Sequence, residues 1–180
     1  MRKLLRPVPL VVLATTIALV GLLAYGVASQ EPDEGVEDAI AKGRPVAAPT
    51  TSLPKLVGGG EGSVADYRGK VVVLNYWASW CKPCRTESPA LERFHREIVA
   101  KGGTVLGVDV LDVASDARDF VKEFGLTYPM LRDADGSTQR ELGVLAYPET
   151  FVVDKAGKIT AVKRGPVDEA WLRRETEPLL

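Results

Sequence analysis

Cys81 and Cys84, the only cysteines in the chain, constrain it more than any other feature, because they sit where an apolar run stops and a helical pattern begins. Val71-Val72-Val73-Leu74 leads into Trp80-Cys81-Lys82-Pro83-Cys84, and a helix-like stretch opens at Arg85. A Cys-x-x-Cys at a strand-to-helix junction puts the first sulfur at a helix N-terminus, where unpaired N–H groups and the helix dipole favour a thiolate. Cys81 is therefore the expected nucleophile. Cys84, one turn on, lies on the same helical face and is placed to close onto Cys81 or to resolve a mixed disulfide. Lys82 adds positive charge beside Cys81 and favours its thiolate, unless it points wholly into solvent. Pro83 restricts the first helical turn at little cost.

Two blander readings of the pair compete with redox chemistry. Zinc needs four ligands, and with Cys 2 and His 1 in the whole chain no closed site can be built from those residue types. His95 falls in the helix after the motif and is expected on its surface, without a catalytic role. An inert structural disulfide would close so short a loop that it removes little chain entropy. Redox exchange is the stronger reading.

The chain opens Met1-Arg2-Lys3-Leu4-Leu5-Arg6 and then carries no charge from Pro7 to Gln30. That run is long enough to span a bilayer of about 30 Å and longer than a secretory apolar core of ~7–15 residues. An uncleaved signal-anchor over residues 8–28 is expected, although Ala28 is a small residue at which cleavage is possible. No cysteine follows the run, so a lipoprotein modified there is excluded. Arg2, Lys3 and Arg6 precede the span, and Glu31, Asp33, Glu34, Glu37 and Asp38 follow it. The positive-inside rule then leaves a basic tip, residues 1–7, in the cytoplasm and the remainder on the extracytoplasmic side of the cell membrane, in a single pass. Disulfides form readily there, and a pair kept reduced needs its own electron supply.

Beyond the anchor, residues 29–45 read as a tether, acidic at first and then rich in Pro, Ala and Gly, with a short helical turn near Val36–Lys42. Residues 46–180 are enough for one domain with a substantial core. With formal net charge -1 and 26% charged residues, the chain lacks the basic field of a nucleic-acid binder. Val71–Tyr76 and Thr104–Val110 read as buried strands, with a helix between them over Glu87–Ala100 that Pro89 should kink. Ser115 offers an N-cap for a helix over Asp116–Phe124, Tyr128–Leu131 reads as a short strand, and Gly136-Ser137 opens a short helix through Leu142. Thr150–Asp154 and Lys158–Lys163 form a hairpin turning at Ala156-Gly157, and Asp168 caps a last helix carrying Trp171, expected in packing. The order β-α-β-α then β-β-α is an α/β arrangement with a terminal antiparallel hairpin, a thioredoxin-like pattern. Asp109 and Asp112, at a strand end and in a loop, are expected to be solvated.

The run from Leu74 to Pro89, Leu-Asn-Tyr-Trp-Ala-Ser-Trp-Cys-Lys-Pro-Cys-Arg-Thr-Glu-Ser-Pro, resembles the active-site run of membrane-anchored thioredoxin-like thiol:disulfide oxidoreductases of the ResA, CcmG (DsbE) and TlpA types. A second run, Gly143-Val144 followed by Tyr147-Pro148-Glu149-Thr150-Phe151-Val152-Val153-Asp154, resembles the cis-proline loop and following strand of the same group. The resemblance implies a thioredoxin fold, with a central mixed sheet flanked by helices and a central insertion around Val110–Leu131. It implies that Glu87 is the acid lying near the cysteines and modulating their ionisation, by like-charge repulsion or by accepting a proton once burial raises its own pKa. An ordinary exposed acid in the first turns of a helix is the plainer alternative. Asn75 stands where thioredoxin has a buried aspartate, which leaves Glu87 the better candidate for proton handling. Pro148 is implied to be cis, with its loop against the cysteines offering backbone groups to an extended peptide. Tyr147 would then join Trp80 in an aromatic rim, with Trp77 in the core.

The resemblance implies a reductant. Its substrate would be a protein disulfide, that of the haem-attachment Cys-x-x-Cys-His of an apocytochrome c, re-reduction would come from a membrane partner of the CcdA/DsbD type, and no cofactor beyond the Cys81-Cys84 pair is implied. The same residues could instead insert disulfides, because potentials across thioredoxin-fold proteins span roughly -270 to -120 mV. Lys82 pulls towards the oxidant and Glu87 towards the reductant. A tethered scaffold that holds cysteine-bearing clients without turnover is a reading from another class. A copper carrier is disfavoured, since His95 is not placed beside the cysteines.

Overall fold

The structure, a computed structural model, describes residues 12–13, 15–22 and 35–180, and falls into two compact units, Met1–Glu34 and Gly35–Leu180. In the first, residues 12–13 and 15–22 are helical, and the hydroxyls of Thr15 and Thr16 donate to the Val12 carbonyl. Among the described residues no helix is long and apolar enough to cross a membrane. The expected basic tip, much of the expected anchor and the first part of the expected tether lie outside the described residues.

The second unit is built on a six-stranded mixed sheet. In chain order its elements are α1 (Val36–Ala41), β1 (Val46–Ala47), β2 (Leu53–Pro54), β3 (Glu61–Gly62), a 3-10 turn (Val64–Tyr67), β4 (Val71–Trp77), α2 (Lys82–Val99), β5 (Gly103–Val110), α3 (Ala114–Glu123), β6 (Met130–Asp133), α4 (Ser137–Glu141), β7 (Glu149–Val153), β8 (Lys158–Arg164) and α5 (Glu169–Thr176). The sheet order is β1-β8-β7-β4-β5-β6, with β2 and β3 paired separately. β4, β5 and β6 run parallel, and β7, β8 and β1 join antiparallel. This is the thioredoxin-like α/β arrangement with its terminal hairpin.

Alternation along β4 divides the core. Val71, Val73 and Trp77 face the layer of α2, α3 and α5, where Leu91, Phe94, Ala117, Phe120 and Leu172 are buried. Val72, Leu74 and Tyr76 face the opposite layer, with Leu106, Val108, Val144 and Phe151. Both faces are covered, so the strand reads as one unbroken apolar run. Asn75 lies on the α2 side of this alternation, as the only polar residue of the strand.

Several boundaries differ from the expectation. α2 opens at Lys82, not Arg85, because Cys81 caps it and Pro83 fits the first turn, where its missing N–H has no partner to lose. It then runs from Lys82 to Val99 through Pro89. Ser115 is not the cap of α3: the helix starts at Ala114, the cap position is Val113, and the Ser115 hydroxyl donates to Asp116 instead. The strand expected at Tyr128–Leu131 is displaced to Met130–Asp133, in register with Gly107–Val110. In the tether region the helical turn is present as α1, and Val46-Ala47 pairs with β8 and extends the sheet, because Val36 is buried and Val46 half-buried there. The hairpin closes as expected, with Gly157 in a left-handed conformation that favours glycine. Asp168 caps α5, accepting the Trp171 N–H at 2.8 Å.

Candidate active site

β4 ends at Trp77, buried, and delivers the chain into a turn over Ala78–Cys81 closed by the Cys81 N–H donating to the Ala78 carbonyl at 3.1 Å. The turn presents Trp80, 64% exposed, outward. Cys81 is the N-cap of α2, and its sulfur accepts the Cys84 N–H at 3.2 Å. The two cysteines are joined as a disulfide, with exposures of only 4% and 1%. Cys81 thus sits at the positive end of an 18-residue helix with a backbone donor aimed at its sulfur, the setting that stabilises a thiolate when the bond is reduced. Lys82 and Pro83 are exposed on the helix shoulder.

The loop before β7 comes against this turn. Tyr147–Pro148 is a cis peptide, Pro148 is buried, and the Tyr147 ring meets Trp80 edge-on at 5.6 Å between centroids. Leu145 projects from the same loop at 91% exposure. Glu149, to which the sequence assigned no role, organises the loop. It is buried, accepts the Leu145 and Ala146 N–H groups at 3.2 and 3.3 Å, and pairs with Arg164, which also donates to the Gly143 carbonyl. Those two N–H groups therefore turn inward, and the Pro148 carbonyl is taken by Gly165 N–H. The signal available for Glu149 was its position directly after Pro148.

Glu87 is not an ordinary surface acid. It lies one turn beyond Cys84 on the inner face of α2, 3% exposed, with Oε1 accepting Asn75 Nδ2 at 2.9 Å and Oε2 accepting the Val167 N–H at 2.8 Å. Asn75 also donates to the Thr150 hydroxyl at 3.0 Å, so the chain of contacts runs from helix α2 through β4 to β7. Burial pushes the Glu87 carboxyl up to about 7, against the downward pull of its two donors. A carboxyl so tuned takes up or gives a proton near neutral pH at little cost. The burial of Asn75 and the contact with Val167, eighty positions away, have no local sequence signal.

A second acid corrects the expectation of solvation. Asp109, opposite Trp77 in the β4–β5 register, is 0% exposed. No protein N–H donates to either of its oxygens, its carboxyl neighbour is Asp112, and Arg132 Nε lies 3.8 Å away. Burial, reinforced by the facing Asp112, raises its carboxyl to about 8. Asp112 is half-buried and accepts both the Ser79 N–H and the Ser79 hydroxyl. His95 is likewise more than a surface residue: half-buried, its Nδ1 accepts the Val105 N–H and its ring meets Tyr128 edge-on. Among the described residues no group of three or more His, Cys, Asp or Glu side chains is placed to hold a metal ion.

A disulfide capping a helix, with a tuned acid behind it and an aromatic rim in front, is built for exchange with another dithiol, and the fold carrying it is that of the thioredoxin-like thiol:disulfide oxidoreductases. The chain belongs to the AhpC/TSA family, whose sequence profile matches residues 46–162. It is 32% identical over 168 residues to the thiol-disulfide oxidoreductase ResA of Geobacillus thermodenitrificans, covering 93% of this chain and 95% of that one. It is 37% identical over 135 residues to the thiol:disulfide interchange protein HelX of Rhodobacter capsulatus, covering 74% of each. A secreted thiol-disulfide isomerase of Corynebacterium glutamicum superposes with a TM-score of 0.68 at 36% identity, over 73% of this chain and 84% of that one. The protein is a thiol:disulfide oxidoreductase of the ResA/DsbE type.

Proposed function

We propose that the protein is an extracytoplasmic reductant whose Cys81 thiolate attacks a substrate disulfide. The Cys81 sulfur bonds to one substrate sulfur, and the other leaves as a thiolate and takes a proton. The Cys84 thiol then gives its proton to Glu87 and attacks the Cys81 sulfur, and the second substrate sulfur departs. One substrate disulfide has become a dithiol and the enzyme dithiol has become the Cys81–Cys84 disulfide, so the electrons balance. The observation that carries this reading is Glu87, buried one turn behind Cys84 with a pKa near neutrality. Cys84 is itself buried, out of reach of solvent that would otherwise take its proton, so a nearby proton acceptor is needed. Trp80, Tyr147 and Pro148 form the surface that receives the substrate, while Lys82 and Pro83, exposed, shape the mouth of the site.

The substrate assigned is the haem-attachment disulfide of an apocytochrome c, with a CcdA/DsbD-type membrane protein as electron donor. Support comes from the resemblance of the Leu74–Pro89 and Gly143–Asp154 runs to ResA and DsbE types and from the identity to proteins bearing those names. The charge-free run from Pro7 to Gln30, basic before and acidic after, supports membrane tethering through residues 8–28. Full-length protein is expected to stay in the membrane pellet through alkaline carbonate washing. Release into the wash, or a mature N-terminus at Ser29, would show a cleaved leader.

The reduction potential of residues 31–180, equilibrated against glutathione and dithiothreitol buffers, tests the direction of electron flow. A value near thioredoxin's, about -270 mV, is expected. One near -120 mV, roughly that of a strong disulfide donor, would remove the reductant reading. The oxidant alternative rests on the Cys84 N–H, which favours the Cys81 thiolate and so the reduced enzyme.

A further inference from the structure

The turn that carries Cys81 is buried at its ends, Ala78 and Cys81, which the Cys81 N–H to Ala78 carbonyl bond closes, but not in its middle. Its two central residues are Ser79, half-buried, and Trp80, largely exposed, so apolar packing does not specify the shape there. Two further hydrogen bonds do: Asp112, from the loop after β5, accepts the Ser79 N–H and, at 3.0 Å, the Ser79 hydroxyl. The Asp112 side chain is itself fixed from several directions. Its Oδ1 accepts the following Val113 N–H at 2.7 Å, and its carbonyl accepts Arg132 Nη2 at 2.8 Å. Leu111, immediately before it, takes a φ of 49°, a left-handed conformation that a branched side chain adopts only at a cost. The Leu111 N–H is held by the Asp133 carbonyl. That left-handed residue reverses the chain at the end of β5 and turns Asp112 back toward Ser79. Behind it lies Asp109, whose carboxyl is raised by burial and by the facing Asp112.

We propose that Asp112 is a positioning residue for thiol–disulfide exchange: by gripping Ser79 it fixes the Ala78–Cys81 turn and so sets the attack geometry of the Cys81 sulfur. This rests on the exchange chemistry proposed above, and it adds a residue outside the Cys-x-x-Cys helix and the cis-proline loop to the machinery that aims it. The physical reason is that displacement of a reacting atom by even an ångström weakens attack severely. An N-cap sulfur is only as well placed as the turn leading into it.

The test uses reduced full-length protein in detergent and a chromogenic bis-nitrobenzoate disulfide, whose reaction requires only a competent thiolate. The rate is followed with pH up to the plateau at which the thiolate is fully formed, so that the plateau reports geometry and the midpoint reports ionisation. Asp112→Ala is expected to lower the plateau about fivefold or more, since the sulfur is then misaligned. Asp112→Asn has a single oxygen for two backbone donors, the Ser79 and Val113 N–H groups, and should fall between wild type and Asp112→Ala. Ser79→Ala, which loses one of the two Ser79 bonds, should also fall between them. A plateau unchanged in Asp112→Ala, whatever its midpoint does, overturns the proposal, as does a plateau in Asp112→Asn lower than that of Asp112→Ala. Should Asp112→Ala fail to fold, an unaltered plateau in Ser79→Ala overturns it and a lowered one supports it. Wild-type protein that attacks the dye but reduces no protein disulfide would count against the function proposed above and leave the role of Asp112 standing.

Discussion

The Cys84→Ser variant is expected to capture disulfide-bearing proteins as covalent adducts through Cys81 and to release none of them. Cys81, exposed at 4% and capping α2, remains able to attack, since its stabilising donor is the backbone N–H of residue 84, which serine retains. The serine hydroxyl cannot displace the substrate sulfur, so the reaction stops at the mixed disulfide. Turnover should fall by about 10³-fold or more, the scale on which loss of one member of a nucleophilic unit acts. Adducts are read on non-reducing gels as bands that vanish with dithiothreitol and are absent from Cys81→Ser. Binding partners recovered equally from both variants, without covalent bands, would mean a scaffold that holds clients and catalyses nothing.

Glu87→Gln should separate proton handling from architecture. The wild-type carboxyl has a folded pKa of about 7 against an ordinary 4.5. A raised folded pKa means that the folded state keeps the proton longer than the unfolded chain does. The associated stability is fully present below pH 4.5 and is lost as pH rises through 7. At about 1.4 kcal/mol per unit, the loss across that window is about 3 kcal/mol. In the oxidised protein the cysteines do not titrate, and Asp109, whose carboxyl is also raised, titrates in wild type and variant alike, so the difference between their unfolding slopes against pH isolates this effect. The glutamine variant should show a slope flattened by about that amount. Its absolute stability should also shift at every pH, because a glutamine oxygen satisfies only one of the two donors, Asn75 Nδ2 and Val167 N–H, and an orphaned buried donor costs roughly 1–3 kcal/mol. The slope is therefore the readout. In the reduced enzyme, release of the mixed disulfide at neutral pH should slow about 10²-fold, the lower range for removal of a general base. An unchanged pH slope together with unchanged release would leave Glu87 as a hydrogen-bonding strut between α2 and Val167, the residue before the α5 cap.

Much of this was legible in the chain because it is local. The cysteine spacing, the Asp168 cap and the Gly157 turn act over a few residues, and each was readable where it stands. The start of α2 lies three residues before the helical pattern that opens at Arg85, because the first turn, Lys82 to Cys84, is set by the Cys81 cap and by Pro83 and carries no apolar period of its own. Ser115 failed as a cap for another reason. A serine beside an aspartate has a competing partner, and the helix began a residue earlier. The sheet-extending role of Val46-Ala47 was hidden because a strand of two residues has no period, and its partner, β8, lies more than a hundred positions later.

What the sequence by itself determined is the chemistry: two sulfurs at a spacing that permits a ring, at the boundary where a strand hands over to a helix, whose end favours the thiolate. What only the tertiary structure decided is how protons and geometry are managed around them. Glu87 stood out only through the resemblance of its run, and Asp109 and Asp112 did not stand out at all. Folding buries Glu87 beneath Val167 and Asn75, seals Asp109 behind Trp77, and leaves Asp112 half-open to hold Ser79. A carboxyl's pKa and its partners follow from desolvation and from groups brought in by distant strands, and neither quantity is encoded within reach of the residue itself.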